Sequence, residues 1–373
     1  MTRKHLLRTA IFAMAAVGLG LPSAHAADPT QALADLQTHI LVTGAHGEKA
    51  EPISIVSLTP EELAKIKAMH ATAAIVMHYG GNDWSRAQVE ALKAQFAIMG
   101  IKVIAVTDAG FKSEKQVSDI ETVLTQKPNI IVSAPVDVVA TAAAFKAAAE
   151  QGVKLVFMNF PPDGMVAGKD YVSVVSADEY GNGVASAHLM AKALGGSGEV
   201  GLVFHAADFN VTRQRYKAVK ATFAADYPNI KVVAEQGIGG PDFPGDAEKA
   251  ASAMLTEHPH IKGIWAVWDV PAEGVISAAR TAGRDDLVIT TIDLGENVAI
   301  DMAQNGFVKG LGAQRVSDQG TTEAMLAGYG LLGKAAPPYV ASPALPVTKD
   351  NLLAAWQIVY HVPATAKIAK SMN

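Results

Sequence analysis

Residues 76–85 read Val-Met-His-Tyr-Gly-Gly-Asn-Asp-Trp-Ser, and they follow an apolar run that begins at Ala73. The run is continuously apolar, which is typical of a parallel strand buried on both faces. Two glycines then allow the chain to leave the strand sharply, and a helical pattern starts at Arg86. An amide, a carboxylate, an indole and a hydroxyl therefore gather at the carboxyl end of a strand, where ligands bind in open α/β sheets.

The composition of the chain is that of an ordinary globular protein. It has 373 residues, of which 50% are hydrophobic and 18% are charged, and its formal net charge is −5. A length of this size predicts one large domain or two moderate ones. No basic stripe is visible, so nucleic acid is not an expected partner. The absence of cysteine excludes a disulfide framework and a thiolate site.

The first 26 residues have the pattern of a secretory signal peptide. Positive residues precede an apolar run from Ala10 to Leu21, and Ala24-His25-Ala26 is a small-x-small cleavage site. The apolar run is short for a membrane span, so an uncleaved anchor is the weaker alternative. We therefore expect cleavage after about Ala26 and an exported protein in the periplasm. Residues 27–70 then form an N-terminal extension, which we expect to pack on the outside of the first lobe.

From residue 72 onward, strand and helix patterns alternate. The spacings suit crossover helices and are too long for hairpins, so the sheets should be parallel. The pattern restarts at residue 179, which predicts two successive doubly wound α/β lobes. The predicted strands cover residues 73–77, 103–106, 130–132, 155–158 and 171–175, then 200–204, 232–235, 264–267, 288–292 and 309–313.

Side chains suited to a neutral, hydroxylated ligand follow these strands. Flat aromatic faces cover C–H surface, while Asp, Asn, Gln and Arg match hydroxyl groups that both donate and accept hydrogen bonds. The candidate ligand-binding residues are Asn82, Trp84, Asn159, Phe160, Arg213, Phe243, Trp268, Asp293 and Gln314. Asp137 and Asp178 are explained equally well as helix N-caps and as ligand-binding groups.

In this order and spacing, the chain resembles the periplasmic sugar-binding proteins of ABC transporters, in the ribose-binding-protein branch of the type I fold. The resemblance runs from about Thr72 to the C-terminus. Its marks are Asn82-Asp83-Trp84, Val174-Val175-Ser176-Ala177-Asp178, Arg213-Gln214-Arg215, Trp268-Asp269, Ile292-Asp293 and Gly312-Ala313-Gln314.

The resemblance implies two Rossmann-like lobes joined by a three-segment hinge. Lobe 1 would comprise residues 71–174 and 315–345, and lobe 2 residues 175–314 and 346–373. Asn82 and Trp84 would contact the ligand from lobe 1 and Gln314 would do so at the hinge. The contacts from lobe 2 would be Arg213, Phe243, Trp268 and Asp293. The implied partners are a sugar or polyol, an ABC permease in the inner membrane and, as a further option, a chemoreceptor. No cofactor is implied, and nothing demands more than a monomer.

Three departures from the pentose-binding pattern bear on the ligand. Asn159-Phe160 stands where such members usually carry Asp-Arg, Trp268 where they carry an amide, and Trp84-Ser85 where they carry two aromatic residues. A charged hydroxyl clamp is thus lost and apolar surface is gained. The expected ligand is therefore a different sugar, a deoxysugar or a short or acyclic polyol rather than ribose.

Two other function classes stay open at the level of the sequence. An exported carbohydrate-active enzyme would need a general acid and a general base, for which Asp83, Asp137 and Asp293 are loose candidates. No nucleophile elbow, phosphate-binding loop, dinucleotide fingerprint or metal-ligand spacing of histidines is present. A sensory module that presents its liganded form to a receptor would look the same in sequence as a transport protein.

Overall fold

The computed structural model describes residues 28–372. The predicted signal peptide lies outside these residues. Among residues 28–372, no helix combines the length and the apolar character needed to cross a bilayer.

Strands and helices alternate through most of the chain. The strands are β1 (Glu51–Pro52), β2 (Thr72–Met77), β3 (Lys102–Asp108), β4 (Ile130–Ser133), β5 (Lys154–Met158), β6 (Ser173–Ala177), β7 (Gly198–His205), β8 (Ile230–Ile238), β9 (Ile261–Ala266), β10 (Val288–Ile292), β11 (Val308–Ala313), β12 (Tyr339–Ser342) and β13 (Leu345–Val347). The helices are α1 (Pro29–Asp35), α2 (Pro60–Ala68), α3 (Asp83–Ile98), α4 (Ser113–Thr125), α5 (Ala142–Glu150), α6 (Glu179–Leu194), α7 (Asn210–Asp226), α8 (Phe243–Glu257), α9 (Asp269–Thr281), α10 (Glu296–Ala303), α11 (Val316–Leu332), α12 (Leu352–Tyr360) and α13 (Ala366–Ser371).

The strands form two sheets. The first has the order β1-β12-β6-β5-β4-β2-β3, and the second has the order β13-β11-β10-β9-β7-β8. Neighbouring strands pair in parallel, except that β13 runs antiparallel to β11. The predicted fold class, two α/β lobes with parallel sheets, is confirmed.

The chain passes between the two sheets at three places. It leaves the first sheet after β6 and returns after β11, where α11 packs on α3 of the first half. It leaves the first sheet again between β12 and β13. The boundaries implied by the resemblance, after residues 174 and 345, fall inside β6 and β13. Strand membership favours crossings near residues 178, 315 and 343 instead, and the exact domain limits stay a prediction.

The N-terminal extension contacts both halves of the molecule. Leu33 and Leu36 pack against Ala185 and Leu189 of α6, which belongs to the second half. Further along, β1 pairs with β12 at the edge of the first sheet, and α2 packs on α11. The extension therefore packs on the first lobe, as expected, and its first helix also packs on the second, which was not expected. Leucines at helical spacing predict that a face is buried, but they carry no information about which partner covers it.

Candidate functional site

A cavity of about 70 Å³ lies between the carboxyl ends of the two sheets. Its walls come from both sheets and from the second crossing, after β11. It is lined by His78, Tyr79, Asn82, Trp84, Phe111, Asn159, His205, Phe209, Val211, Thr212, Arg215, Phe243, Trp268, Val270, Asp293 and Gln314. Most of this lining is aromatic or aliphatic, with polar groups gathered in one region.

Seven of the nine residues singled out from the sequence line this cavity. They are Asn82, Trp84, Asn159, Phe243, Trp268, Asp293 and Gln314. The structure brings them together because parallel strands end at the same edge of a sheet and the two edges face each other. Their role in ligand binding stays a prediction.

The structure does not bring Arg213 and Phe160 into the cavity. The Arg213 side chain is 41% exposed and pairs with Asp208. Both Arg213 and Phe160 line a separate surface cleft, and the buried ring of Phe160 contacts Phe209 with the centroids 5.2 Å apart. The arginine that lines the cavity is Arg215, two residues further along α7. Two residues turn a helix by about 200°, so Arg213 and Arg215 lie on opposite faces.

A continuous hydrogen-bonded network forms the polar region of the cavity. Trp84 Nε1 donates to Gln314 Oε1 at 3.1 Å, and Gln314 Nε2 donates to Asp293 Oδ1 at 2.7 Å. Arg215 Nη1 donates to Asp293 Oδ2 at 2.9 Å, and Arg215 Nε donates to Glu179 Oε2 at 2.7 Å. The network thus joins α3 of the first half, the crossing at Gln314 and the second half. It fixes the orientation of the one carboxylate that lines the cavity, Asp293.

Burial shapes the charges of this network. Although burial lowers the pKa of Arg215, the carboxylates of Asp293 and Glu179 raise it above its ordinary value, so the guanidinium stays charged. Burial raises the pKa of Glu179, and the ion pair with Arg215 opposes this shift. Burial, followed by repulsion from Asp293, also raises the pKa of nearby Asp269 to about 8. The raised pKa favours the protonated form of Asp269, and protonation there limits the negative charge that accompanies Arg215.

Five ring-bearing residues of the cavity wall were missed by the sequence reasoning, namely His78, Tyr79, Phe111, His205 and Phe209. Tyr79 stacks on Phe111 at 4.7 Å between ring centroids, and His78 stacks on Phe209 at 6.0 Å. His78, Tyr79 and His205 stand at strand ends, so the rule that found Asn82 could have found them. Phe111 and Phe209 lie in loops, and no local pattern predicts where such loops lead.

Contacts across the cavity join the two halves of the molecule. The rings of Phe111 and Phe243 lie 5.9 Å apart, one from each half. At the rim, the backbone N–H of Glu296 donates to Asp83 Oδ2 at 2.8 Å. The described conformation is therefore closed around the cavity.

Unusual backbone geometry also gathers at the cavity. Phe111, Asn159 and Asp293 have φ angles of 59°, 66° and 70°. Asn and Asp tolerate the left-handed region, but a bulky residue such as Phe rarely adopts it. Such backbone strain is common at ligand-binding sites, and here all three residues line the cavity.

Two aspartates that the sequence left open act as caps. Asp178 accepts the backbone N–H of Gly181 at 2.8 Å and that of Leu41 at 2.7 Å. Asp137 accepts the backbone N–H groups of Val139 and Ala140, both at 2.8 Å. Within residues 28–372, no group of three or more His, Asp or Glu side chains is arranged to hold a metal ion.

The pH dependence of stability should report the burial of His78. Burial lowers the pKa of this imidazole from 6.5 to about 4. Between these two values the unfolded chain binds more protons than the folded chain, so stability is full above pH 6.5 and falls as the pH drops through the window. Each pKa unit corresponds to about 1.4 kcal/mol, so acidification to pH 4.5 should remove roughly 2–3 kcal/mol through this group.

Urea denaturation at pH 7.5 and pH 4.5 measures this effect. Acidification should lower the free energy of unfolding of His78→Asn by roughly 2–3 kcal/mol less than it lowers that of the parent protein. His361→Asn, at an exposed histidine that contacts Asp318, is the control and should retain the full difference. An equal loss in the parent protein and in His78→Asn would contradict the prediction.

Comparisons with known proteins agree with this architecture. Residues 73–335 match the family model described as a periplasmic binding protein domain. A D-ribose/D-allose-binding protein of Pseudomonas aeruginosa is 27% identical over 235 residues, which are 62% of this chain and 71% of that protein. The crystal structure of an ABC sugar transporter subunit from Rhodobacter sphaeroides is 26% identical, with a TM-score of 0.67 over 75% of this chain and 99% of that one. An Agrobacterium vitis solute-binding protein bound to α-D-tagatopyranose superimposes with a TM-score of 0.71 at 20% identity, over 79% of this chain and all of that one, which shows the shared fold.

Proposed function

The chain belongs to the periplasmic binding protein domain family, and we propose that it captures a sugar or polyol in the cavity between its two sheets. The observation that carries this proposal is the network from Trp84 through Gln314 to Asp293 and Arg215. It presents a carboxylate, an amide and a guanidinium beside aromatic faces, and this combination suits vicinal hydroxyl groups on a C–H framework. The Pseudomonas aeruginosa relative, named for D-ribose and D-allose, supports a carbohydrate ligand.

Capture would work by closure of the two lobes. A ligand that touches Trp84 on one side and Asp293 on the other makes its full set of contacts only in the closed state. It therefore shifts the population toward that state by its differential affinity. The closed form would then deliver the ligand to an ABC permease. Presentation of the liganded form to a receptor would depend on the same closure of the lobes.

Capture without chemical conversion is favoured by the state of the acidic side chains. Asp83 is bonded to Arg86 and to the backbone of Glu296, and Asp137 caps a turn. Asp293 is held by Arg215 and Gln314. None of the three is placed as an unengaged general acid or base, which a hydrolase or an isomerase would need.

A ligand screen by thermal shift tests the proposal. The panel consists of pentoses, hexoses, deoxysugars, tetritols, pentitols, hexitols and inositols. A ligand at a thousand times its dissociation constant should add about 4 kcal/mol of stability. Asp293→Asn should abolish the shift, and chromatography should recover the ligand unchanged. No shift across the panel, or a recovered product, would overturn the proposal.

A further inference from the structure

The cavity divides into a polar region and an apolar region. In the polar region, the hydrogen bonds join Trp84, Gln314, Asp293 and Arg215 to one another. In the apolar region, rings contact rings: Phe243 lies 4.9 Å from Trp268 between centroids. His205 lies 5.6 Å from Trp268 and 5.7 Å from Phe243. A ligand that spans both regions meets hydrogen-bonding groups at one end and aromatic faces at the other.

The capacity of the polar region for further hydrogen bonds is limited. Gln314 Oε1 already accepts from Trp84, and Gln314 Nε2 already donates to Asp293. Arg215 Nε donates to Glu179, and Arg215 Nη1 donates to Asp293 and to the carbonyl oxygen of Val267. Arg215 Nη2 also donates to Asp293 Oδ1. The Oδ1 atoms of Asn82 and Asn159 accept from the Ser85 N–H and from Ser176 Oγ. What remains are one lone pair on Asp293 Oδ2, one N–H each on Gln314 Nε2 and Arg215 Nη2, and the amide N–H groups of Asn82 and Asn159. These groups suit two or three neighbouring hydroxyls.

The ring wall, made of His78, Phe111, His205, Phe243 and Trp268, carries its polar atoms on the two imidazoles and on the indole N–H. Burial lowers the pKa of both histidines, which favours their neutral forms. His78 is buried, and its Nδ1 has no hydrogen-bond partner among residues 28–372. The other lining histidine, His205, faces Thr212 Oγ1 with its Nδ1 at 3.3 Å. A hydroxyl placed against the phenyl rings of Phe111 and Phe243 would lose its hydration without a matching partner on those rings, which is unfavourable.

The size of the cavity sets an upper limit on the ligand. A water molecule needs about 10–15 Å³ on this volume scale, so about 70 Å³ holds roughly five to seven water-sized groups. This volume favours a short polyol or one small monosaccharide over a disaccharide.

We infer that the ligand is a short sugar or polyol with an apolar terminus, such as a deoxygenated carbon, a methyl group or a methylthio group. Two or three neighbouring hydroxyls bind Asp293, Arg215 and Gln314, and the apolar terminus lies against Phe111, Phe243 and Trp268. His78 supplies a single hydrogen bond between the two regions. This inference rests on the proposed function and deepens it by naming the ligand class.

Isothermal titration with matched ligand pairs tests the inference. D-Ribose is compared with 5-deoxy-D-ribose and with 5-methylthio-D-ribose, and D-threitol is compared with 1-deoxy-D-threitol. We expect the apolar-terminated member of a pair to bind ten to a hundred times more tightly, because an apolar pocket discriminates against one added hydroxyl by about this much. Equal or tighter binding of the fully hydroxylated members would overturn the inference and leave capture intact. Silence from all five compounds and from the wider panel would instead overturn the proposed function, and the inference with it.

Two variants locate the source of the preference. Trp268→Asn and, independently, Phe111→Gln place an amide in the ring wall and should reduce the preference to less than threefold. Trp356→Phe removes an indole that lies outside the cavity, with its ring centroid 4.3 Å from that of Tyr360, and should keep the full ratio. The ratio is taken within each variant, so a change in overall stability does not distort it. A preference that survives in both amide variants would overturn the assignment of the apolar terminus to these rings.

Discussion

Arg215→Ala is expected to weaken ligand binding at least a hundredfold and to lower the free energy of unfolding by about 3–5 kcal/mol. The guanidinium bridges Glu179 and Asp293, whose side chains are 1% and 10% exposed. Removing it leaves two buried carboxylates without their cation, which is the costly way to break a buried ion pair. The same change releases the orientation of Asp293, the carboxylate that lines the cavity.

Arg213→Ala is the matched control on the same helix. Its partner Asp208 is 80% exposed, and an exposed pair of this kind contributes about 0–1 kcal/mol. Binding and stability should therefore change little. Arg215→Lys should give an intermediate result, because an ammonium keeps the charge but lacks the planar fork that reaches both carboxylates. Urea denaturation and titration of the ligand found by the screen measure both quantities, and a larger binding loss in Arg213→Ala than in Arg215→Ala would contradict the structure.

The two arginines also show what the sequence could and could not predict at the site. A strand followed by a helix with Arg-Gln-Arg near its start indicates that an arginine faces the ligand. It does not indicate which of the two does so, because Arg213 and Arg215 lie on opposite faces of α7 and only the packing of that helix decides which face is buried. Two residues turn the helix by about 200°, so a choice between the two arginines is a choice between its buried and its exposed face.

The fold was predictable where burial leaves a repeating pattern. Strand β2 is buried on both faces and is therefore continuously apolar from Ala73 to Met77, and the helix that follows it has the right spacing. The strands β12 and β13 were missed because they are short and lie among prolines, where no period can develop. The contact of the N-terminal extension with the second half was missed for a different reason, since it depends on which long-range surface covers Leu33 and Leu36.

Helices α8 and α9 approach each other so closely at Gly274 that a larger side chain there should destabilise the protein. Gly274 of α9 faces the backbone of α8, where a Cβ atom would overlap the carbonyl oxygen of Pro244 and lie 2.8 Å from the amide nitrogen of Glu248. Backbone atoms cannot move aside as a flexible side chain can. Gly274→Val should therefore force the helices apart and lower the free energy of unfolding by about 3 kcal/mol or more. Helix propensity alone predicts the opposite sign, because valine is a better helix former than glycine.

This substitution should also reach the ligand, because the two helices carry two rings of the cavity. Phe243 begins α8 and Trp268 caps α9, and their centroids lie 4.9 Å apart. Separating the helices moves the rings apart, so we expect binding to weaken about tenfold, which corresponds to about 1.4 kcal/mol. Gly239→Val is the control, since its Cβ position has no neighbour within 4 Å, and it should change stability by about 0.5 kcal/mol at most. If Gly274→Val were as stable as Gly239→Val in urea denaturation, the close contact of α8 and α9 would not exist in solution. If it were unstable yet bound the ligand normally, the rings of Phe243 and Trp268 would not depend on the spacing of these helices.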